Sequence, residues 1–182
     1  MSHYTYMMSQ VRDDYSMMSC GLSEHTYTVS FFGHRIIEDP LVIEKRLKTL
    51  IRRLLGEKEY VAFLVGRDGE FDQIVSSSIL CCKREYRGDN SAHIWVLPYP
   101  TADFRDNEDA YRAYYDEIEV SQGAAGGYFK AAYQMRNREM VDRSDLVVFC
   151  VQHERGGAWQ TMKYAVKQGT PYINIHDFQE GV

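Results

Sequence analysis

The sequence of 182 residues lacks the cysteine and histidine patterns of metal proteins and of disulfide-stabilised proteins. Its four cysteines form no C-x-x-C pair, and two of them, Cys81 and Cys82, are adjacent. This arrangement suits neither a zinc site nor a disulfide framework and indicates reduced thiols. The six histidines show no H-x-x-x-H or H-E-x-x-H spacing. We therefore expect no metal site. Neither a P-loop lysine motif nor a G-x-S-x-G elbow is present, and no cofactor is expected.

The sequence also lacks long apolar runs and an excess of positive charge. No run approaches the roughly 18 residues of a membrane span, and residues 1–25 have no apolar core of a signal peptide. We therefore expect a cytoplasmic protein with no membrane partner. The formal charge of -5 and the pI near 5.7 give no global attraction for a nucleic-acid backbone, with a local basic patch as the alternative. On this ground the sequence argues against a nucleic-acid polymer as partner.

Hydrophobic patterning predicts one α/β domain preceded by an arm. Residues 1–25 are rich in Met, Ser and Tyr without a sustained period, which predicts a flexible N-terminal arm. From Tyr27 onward, apolar strands alternate with amphipathic helices, and no internal repeat is found. This alternation predicts a Rossmann-like three-layer α/β/α fold with a mostly parallel sheet. The predicted strands are Tyr27–Gly33, Tyr60–Val65, His93–Leu97, Ile118–Val120, Leu146–Val151 and Tyr172–Ile175. Helices are predicted from Pro40, from the G-R-D-G-E-F-D segment, around Asn107–Tyr114, over Phe129–Asp142 and after Gly157.

The loop after the fifth predicted strand reads H-E-R-G-G-A-W-Q-T and opens a helix. Two consecutive glycines, Gly156 and Gly157, let a ligand approach backbone that a Cβ would block. The N–H groups of the first helical turn, including that of Ala158, and the inward Thr161 hydroxyl then form a candidate site for a phosphate or carboxylate. A tight strand-to-helix turn, with glycine for geometry alone, is the alternative.

A second glycine loop follows the second predicted strand and carries three carboxylates. Its sequence is Gly66-Arg67-Asp68-Gly69-Glu70-Phe71-Asp72. Acidic residues in a first helical turn stabilise the helix by themselves, which is one interpretation. The other is that Glu70 or Asp72 hydrogen-bonds a sugar hydroxyl or a base edge.

Three further features point to the same edge of the sheet. Arg136 falls on the apolar stripe of the helix over Phe129–Asp142 and needs an anionic partner, either a ligand phosphate or a carboxylate such as Asp142. Asn137 beside it offers a donor and an acceptor. The first strand ends in Gly33-His34-Arg35, which adds an imidazole and a guanidinium. Trp159 and Tyr128 lie next to glycine-rich loops and are candidates for stacking on a nucleobase, with packing inside the domain or in an oligomer as alternatives.

Four motifs resemble those of one known superfamily. They are F-F-G-H-R after strand one, G-x-x-G-E-F-D after strand two, R-N-R-E-M-V-D-R-S-D before strand five and G-G-A-W-Q-T-M-K-Y-A-V-K-Q-G-T-P before the last strand. Over roughly Tyr27 to Ile175 the chain resembles the SLOG superfamily of Rossmann-like domains. It is most similar to the YpsA-like branch and more distantly to the DprA/Smf and Lonely Guy (LOG) proteins.

The resemblance implies a nucleotide-type ligand at the carboxyl ends of the strands, held by residues 26–182 as one domain. Gly156, Gly157 and Thr161 match the phosphate-binding motif. LOG enzymes cleave the N-glycosidic bond of a nucleoside monophosphate with an Arg and a Glu, and the Glu position corresponds here to Tyr164. Other SLOG domains are thought to sense nucleotide-derived signals, sometimes in bacterial or phage defence. Binding without chemistry fits the replaced Glu better.

The sequence thus predicts a sensor of a small nucleotide-derived ligand, such as an ADP-ribose-like or cyclic nucleotide, in a homo-oligomer. Two alternatives stay open: a nucleoside 5'-monophosphate N-glycosidase with Glu70 or Asp72 as its carboxylate, and a protein-interaction module without ligand. The expected ligand-binding residues are Gly33, His34, Arg35, Gly66, Arg67, Gly69, Glu70, Asp72, Arg136, Asn137, Gly156, Gly157, Ala158, Trp159 and Thr161.

Overall fold

The computed structural model describes residues 26–122 and 129–177. The predicted arm over residues 1–25 lies outside these ranges, as does Tyr128. The described part contains six strands and six helices. The strands are β1 (Thr26–Gly33), β2 (Tyr60–Val65), β3 (Ser91–Leu97), β4 (Glu117–Val120), β5 (Leu146–Cys150) and β6 (Tyr172–Asn174). The helices are α1 (Pro40–Glu57), α2 (Glu70–Glu85), α3 (Ala102–Asp106), α4 (Glu108–Tyr114), α5 (Phe129–Asp142) and α6 (Gly156–Gln168).

All six strands pair in parallel in one sheet of order β4-β3-β2-β1-β5-β6. The chain runs outward from β1 to β4 and then returns to place β5 on the other side of β1. In the register, Ser30 of β1 lies opposite both Leu64 of β2 and Val147 of β5. The carboxyl ends of β1 and β5 therefore flank a topological switch point, where open α/β sheets form a crevice.

Alternating side chains of the strands build two cores, one on each face of the sheet. Phe31 of β1 belongs to the core under α1 to α4, where the buried stripe of α1 includes Leu47 and Ile51. Phe32 belongs to the core under α5 and α6, with Met140. The period of two in the strands and the helical stripes thus produce the predicted α/β/α layers. The predicted Rossmann-like fold is confirmed.

Two local features differ from the sequence prediction or refine it. Helix α3 was not predicted; it begins after Thr101, whose hydroxyl accepts the Phe104 N–H at 3.1 Å. Five residues are too few to show a helical period, so only this N-cap signal was available. Pro40 does open α1, as predicted.

No helix in the described residues is long and apolar enough to cross a membrane.

Candidate functional site

A cavity of about 360 Å³ opens at the switch point. The ends of β1 and β2, the loop before α2, the middle of α5 and the start of α6 form its walls. Eleven of the fifteen residues expected from sequence line it: Gly33, His34, Arg35, Gly66, Gly69, Asp72, Arg136, Asn137, Gly156, Gly157 and Ala158. We call this space the switch cavity.

The first turn of α6 faces the switch cavity with free backbone donors. Its N-cap residue, Arg155, makes no side-chain capping hydrogen bond. A Cβ added at Gly156 or at Gly157 would meet no atom within 4 Å. Gly156 has φ +83, a left-handed conformation that favours glycine, whereas Gly157 lies outside that region. Packing therefore gives no reason for glycine at position 157, and the space above it is open to a ligand.

The other three glycines of the cavity are packed tightly against neighbours. A Cβ at Gly33 would lie 2.3 Å from Cγ of Phe71, and a Cβ at Gly69 would lie 2.8 Å from the Cα of Arg35. At Gly66 the nearest atom would be Oδ2 of Asp72 at 2.9 Å. These glycines let the loops after β1 and β2 approach each other, so the fold itself requires them.

Arg136 is 6% exposed and forms the floor of the cavity. Its Nη1 donates to Oδ2 of Asp68 at 3.1 Å and to the Val96 carbonyl at 3.2 Å, and its Nε donates to Oδ1 of Asn137 at 3.1 Å. The protein partner of Arg136 is thus Asp68. Asp142, the carboxylate named as an alternative from sequence, instead accepts the Tyr164 hydroxyl at 2.8 Å.

Asp72 is a half-buried carboxylate beside this ion pair. Desolvation raises its pKa to about 6, although the Asp68 N–H and the charge of Arg136 act in the opposite direction. The Asp68 N–H donates to Oδ2 of Asp72 at 2.7 Å. Part of the Asp72 population is therefore neutral near pH 6, which lessens the negative charge of the cavity.

Glu70 does not line the switch cavity. Its Oε2 accepts the Ile37 N–H at 2.8 Å, and its own N–H donates to the Arg35 carbonyl at 2.9 Å. Both bonds fix the segment after β1 to the start of α2. Glu70 thus stabilises the segment of the switch-cavity wall that contains Arg35.

Thr161 faces inward, as its position on the helix stripe predicts, but its hydroxyl is engaged. The hydroxyl donates to the Gly157 carbonyl at 2.9 Å and accepts from Nδ2 of Asn137 at 3.0 Å. The sequence predicts that the Thr161 hydroxyl contacts a ligand phosphate. In the structure its proton is instead donated to a carbonyl oxygen within α6. Asn137 and Thr161 together tie α5 to the first turn of α6.

Two histidines stack where β1 and β5 end. The rings of His34 and His153 are 3.8 Å apart with an interplanar angle of 16°. The His153 N–H donates to Nε2 of His34 at 3.4 Å. Burial lowers the pKa of His34, and the charge of His153 lowers it further. His34 is therefore held neutral and serves as an acceptor at the rim of the cavity.

The remaining two predicted residues lie elsewhere. Arg67 lines a second cavity and lies over the ring of Tyr111 at 4.6 Å. Trp159 is half-buried against the core under α5 and α6, as the packing alternative predicts. Sequence reasoning missed His153, Asp68 and Tyr133 as site residues. Asp68 and His153 lay inside the loops already singled out, so their loop position was the available signal.

No group of three or more His, Cys, Asp or Glu side chains within the described ranges has the arrangement of a metal site. The arrangement found, an uncapped helix N-terminus over a cavity with arginines at its floor and rim, suits an anion. Phosphate and carboxylate are the common biological anions of this size.

Comparisons with known proteins identify a fold and no family. No protein-family model matches the chain, and no curated protein matches it either. Among solved structures, the chain shares a Rossmann-like fold with a protein whose structure is described by its single-stranded DNA binding mode. That protein is DNA processing protein A from Helicobacter pylori, with a TM-score of 0.57 and 18% sequence identity. The alignment covers 82% of this chain and 65% of the other chain.

This likeness contradicts two expectations from the sequence. We expected a sensor of a small nucleotide-derived ligand and argued against a nucleic-acid polymer, whereas the similar structure belongs to a single-stranded DNA-binding protein. The physical error lies in the use of net charge. A formal charge of -5 is a property of the whole surface, whereas a strand of nucleic acid is held by local donors at one edge.

Proposed function

We propose that this chain binds single-stranded nucleic acid along the carboxyl edge of its sheet, with a backbone phosphate above the first turn of α6. The observation that carries the proposal is the uncapped α6 N-terminus, where Gly156 and Gly157 open onto the switch cavity. The unpaired N–H groups and the positive end of the helix dipole attract a phosphate. The likeness in fold to a single-stranded DNA-binding protein supports a strand rather than a free anion.

The charges around the switch cavity support a phosphate at that position. Arg35 is exposed on its rim, and Arg155 is exposed at the start of α6. Arg136 lies in the floor, with one anionic partner in Asp68. Neutral Asp72, favoured by its raised pKa of about 6, removes a repulsive charge as the pH falls. These cations lie beside the helix terminus, where they add to its field.

The size and charge of the site favour a single strand over a duplex. The switch cavity has a volume of about 360 Å³, which suits one unstacked nucleotide unit and not a double helix. Duplex binding without base contacts depends on many phosphate contacts over a broad basic surface, whereas three arginines, Arg35, Arg136 and Arg155, supply the positive charge beside the switch cavity. A single strand needs only a groove with a few donors and faces for its bases.

Residues 26–182 are proposed as one nucleic-acid-binding domain, in the YpsA-like branch of the SLOG superfamily on the strength of the four sequence motifs. We assign phosphate contact to Gly156, Gly157, Ala158, Arg35 and Arg136. The other predicted residues of the switch cavity shape its walls.

The proposal is tested by anisotropy titration of a fluorescein-labelled oligo(dT) strand at low salt. Gly157→Val places a branched side chain in the open space over the α6 amides, in a backbone conformation that any residue adopts. Hydrogen bonds to a charged group contribute about 1.5–3 kcal/mol each, so we expect binding to weaken by about 10-fold or more. Gln168→Val, at the exposed far end of the same helix, is the control and should bind as the wild type does. Equal affinity of Gly157→Val and wild type would show that the strand does not use these amides.

A further inference from the structure

A second and larger cavity lies beside the switch cavity, on the other side of the loop after β2. Its volume is about 780 Å³. The loop after β2, one face of α2 and the end of α4 line it, and Gly66 and Asp72 belong to the walls of both cavities. A chain that leaves the switch cavity over Gly66 therefore enters this second space directly.

The walls of the second cavity carry aromatic rings and one guanidinium. Tyr111 and Tyr115 are buried, whereas Tyr114 is 39% exposed and meets Tyr115 edge to face at 4.8 Å. Arg67 lies over the ring of Tyr111 at 4.6 Å, and its charge interacts favourably with the hydroxyls of Tyr111 and Tyr115. Tyr114 and Arg67 thus present flat surfaces to the cavity, and their neighbours hold them in place.

The hydrogen bonds behind this wall make it rigid. The Tyr111 hydroxyl donates to Oδ2 of Asp103 at 2.5 Å. The ring of Tyr115 packs against that of the buried His93, with the ring centroids 4.6 Å apart, and Nε2 of His93 lies 3.1 Å from the Ser76 hydroxyl. A preorganised aromatic surface loses little conformational entropy when a ring stacks on it.

The charges of the second cavity select a neutral, aromatic group. Glu70 and Asp72 line it, and Arg67 is its only lining cation among the described residues. A phosphate would meet two carboxylates here, whereas a base has no charge to be repelled. Gln73 is exposed in the same wall and offers an amide to a base edge.

We propose that the second cavity is a base-stacking subsite, in which Tyr114 and Arg67 hold an unstacked base of the strand whose phosphate lies at α6. The inference rests on the proposed function and assigns it a second point of contact. Stacking on an aromatic ring tolerates every base, so this subsite gives affinity without a strong sequence preference.

The test compares two labelled strands of equal length, oligo(dT) and a strand whose nucleotides are all abasic. Tyr114→Ala should weaken oligo(dT) binding by about 10-fold and leave the affinity for the abasic strand unchanged. Tyr114→Phe keeps the ring and should bind both strands as the wild type does. Tyr172→Ala is the matched control, because Tyr172 is 42% exposed on β6 at the opposite edge of the sheet. Melting curves of each variant verify that it is folded.

The outcomes separate this inference from the proposed function. The base-stacking subsite is overturned if Tyr114→Ala changes neither affinity, or weakens both strands equally. If Gly157→Val still weakens both strands in those cases, the phosphate site stands alone. If only Tyr114→Ala weakens oligo(dT), the stacking subsite stands and the α6 site fails. A wild-type protein that binds neither strand overturns both.

Discussion

Asp72→Asn should stabilise the protein in a pH-dependent manner. Desolvation raises the pKa of Asp72 from 3.8 to about 6, and each pKa unit corresponds to about 1.4 kcal/mol. The folded state therefore binds the Asp72 proton more tightly than the unfolded chain does. Between these two pKa values the folded state holds more protons, so the free energy of unfolding falls as the pH rises. Above both values the cost reaches about 3 kcal/mol.

Asparagine removes this cost and keeps an oxygen that accepts the Asp68 N–H, now bonded at 2.7 Å. The variant should exceed the wild type in free energy of unfolding by less than about 1 kcal/mol at pH 4 and by up to about 3 kcal/mol at pH 7.5. Urea titrations followed by circular dichroism at several pH values measure this difference. Asp106→Asn, at an exposed aspartate of α3, should show no such trend.

A difference that stays constant with pH would refute the reasoning, because the effect would then not arise from ionisation of Asp72. A variant less stable than the wild type at pH 7.5 would show that the attraction between Asp72 and Arg136 outweighs desolvation. Removal of the negative charge should also tighten strand binding at pH 7.5, which the anisotropy assay detects.

Three further predictions concern the stability of variants at the glycines of the switch cavity and the salt dependence of strand binding. Gly33→Ala should lower stability by about 2 kcal/mol in urea titrations, since its Cβ would lie 2.3 Å from Cγ of the buried Phe71; an unchanged midpoint would show that Phe71 moves freely. Gly156→Ala should cost about 1–2 kcal/mol because of its φ of +83, whereas Gly157→Ala should be neutral or stabilising; equal effects would contradict this contrast. Strand affinity should fall with salt at a log–log slope of about -0.7 for the one phosphate proposed above α6, and Arg35→Ala should make that slope shallower. A slope near zero would exclude phosphate contact.

Most of the fold could be predicted because strands such as β2, β3 and β5 are apolar runs closed by turns, whereas the short β4 carries Glu117 and Glu119. The ends of β5 and β6 were each placed one residue too far, which is the usual uncertainty of element boundaries. The strand order was not predicted, since no periodicity records that β5 returns beside β1. The position of β5 beside β1 determines where the crevice at the carboxyl edge of the sheet lies.

The sequence was enough to predict which loops form the candidate site. It was not enough to predict which hydrogen bonds and ion pairs form within it. Parallel strands bring their carboxyl ends to one edge, so the glycine loops could be brought together from sequence. Which carboxylate pairs with Arg136 depends on distances between elements, and Asp68 comes from a loop 68 residues earlier. The His34 and His153 stack likewise joins residues 119 apart.

The position of β1 between β2 and β5 also has a consequence for synthesis and for truncation. During translation the first four strands emerge long before β5. Until β5 pairs with it, β1 is an edge strand with unpaired N–H and C=O groups. An exposed edge strand can pair with strands of other chains. A fragment that ends before residue 146 should therefore aggregate. Arg136 and the α6 amides also follow β4 in the sequence, so the proposed phosphate site forms only once the segment from α5 to β6 has folded against the first four strands.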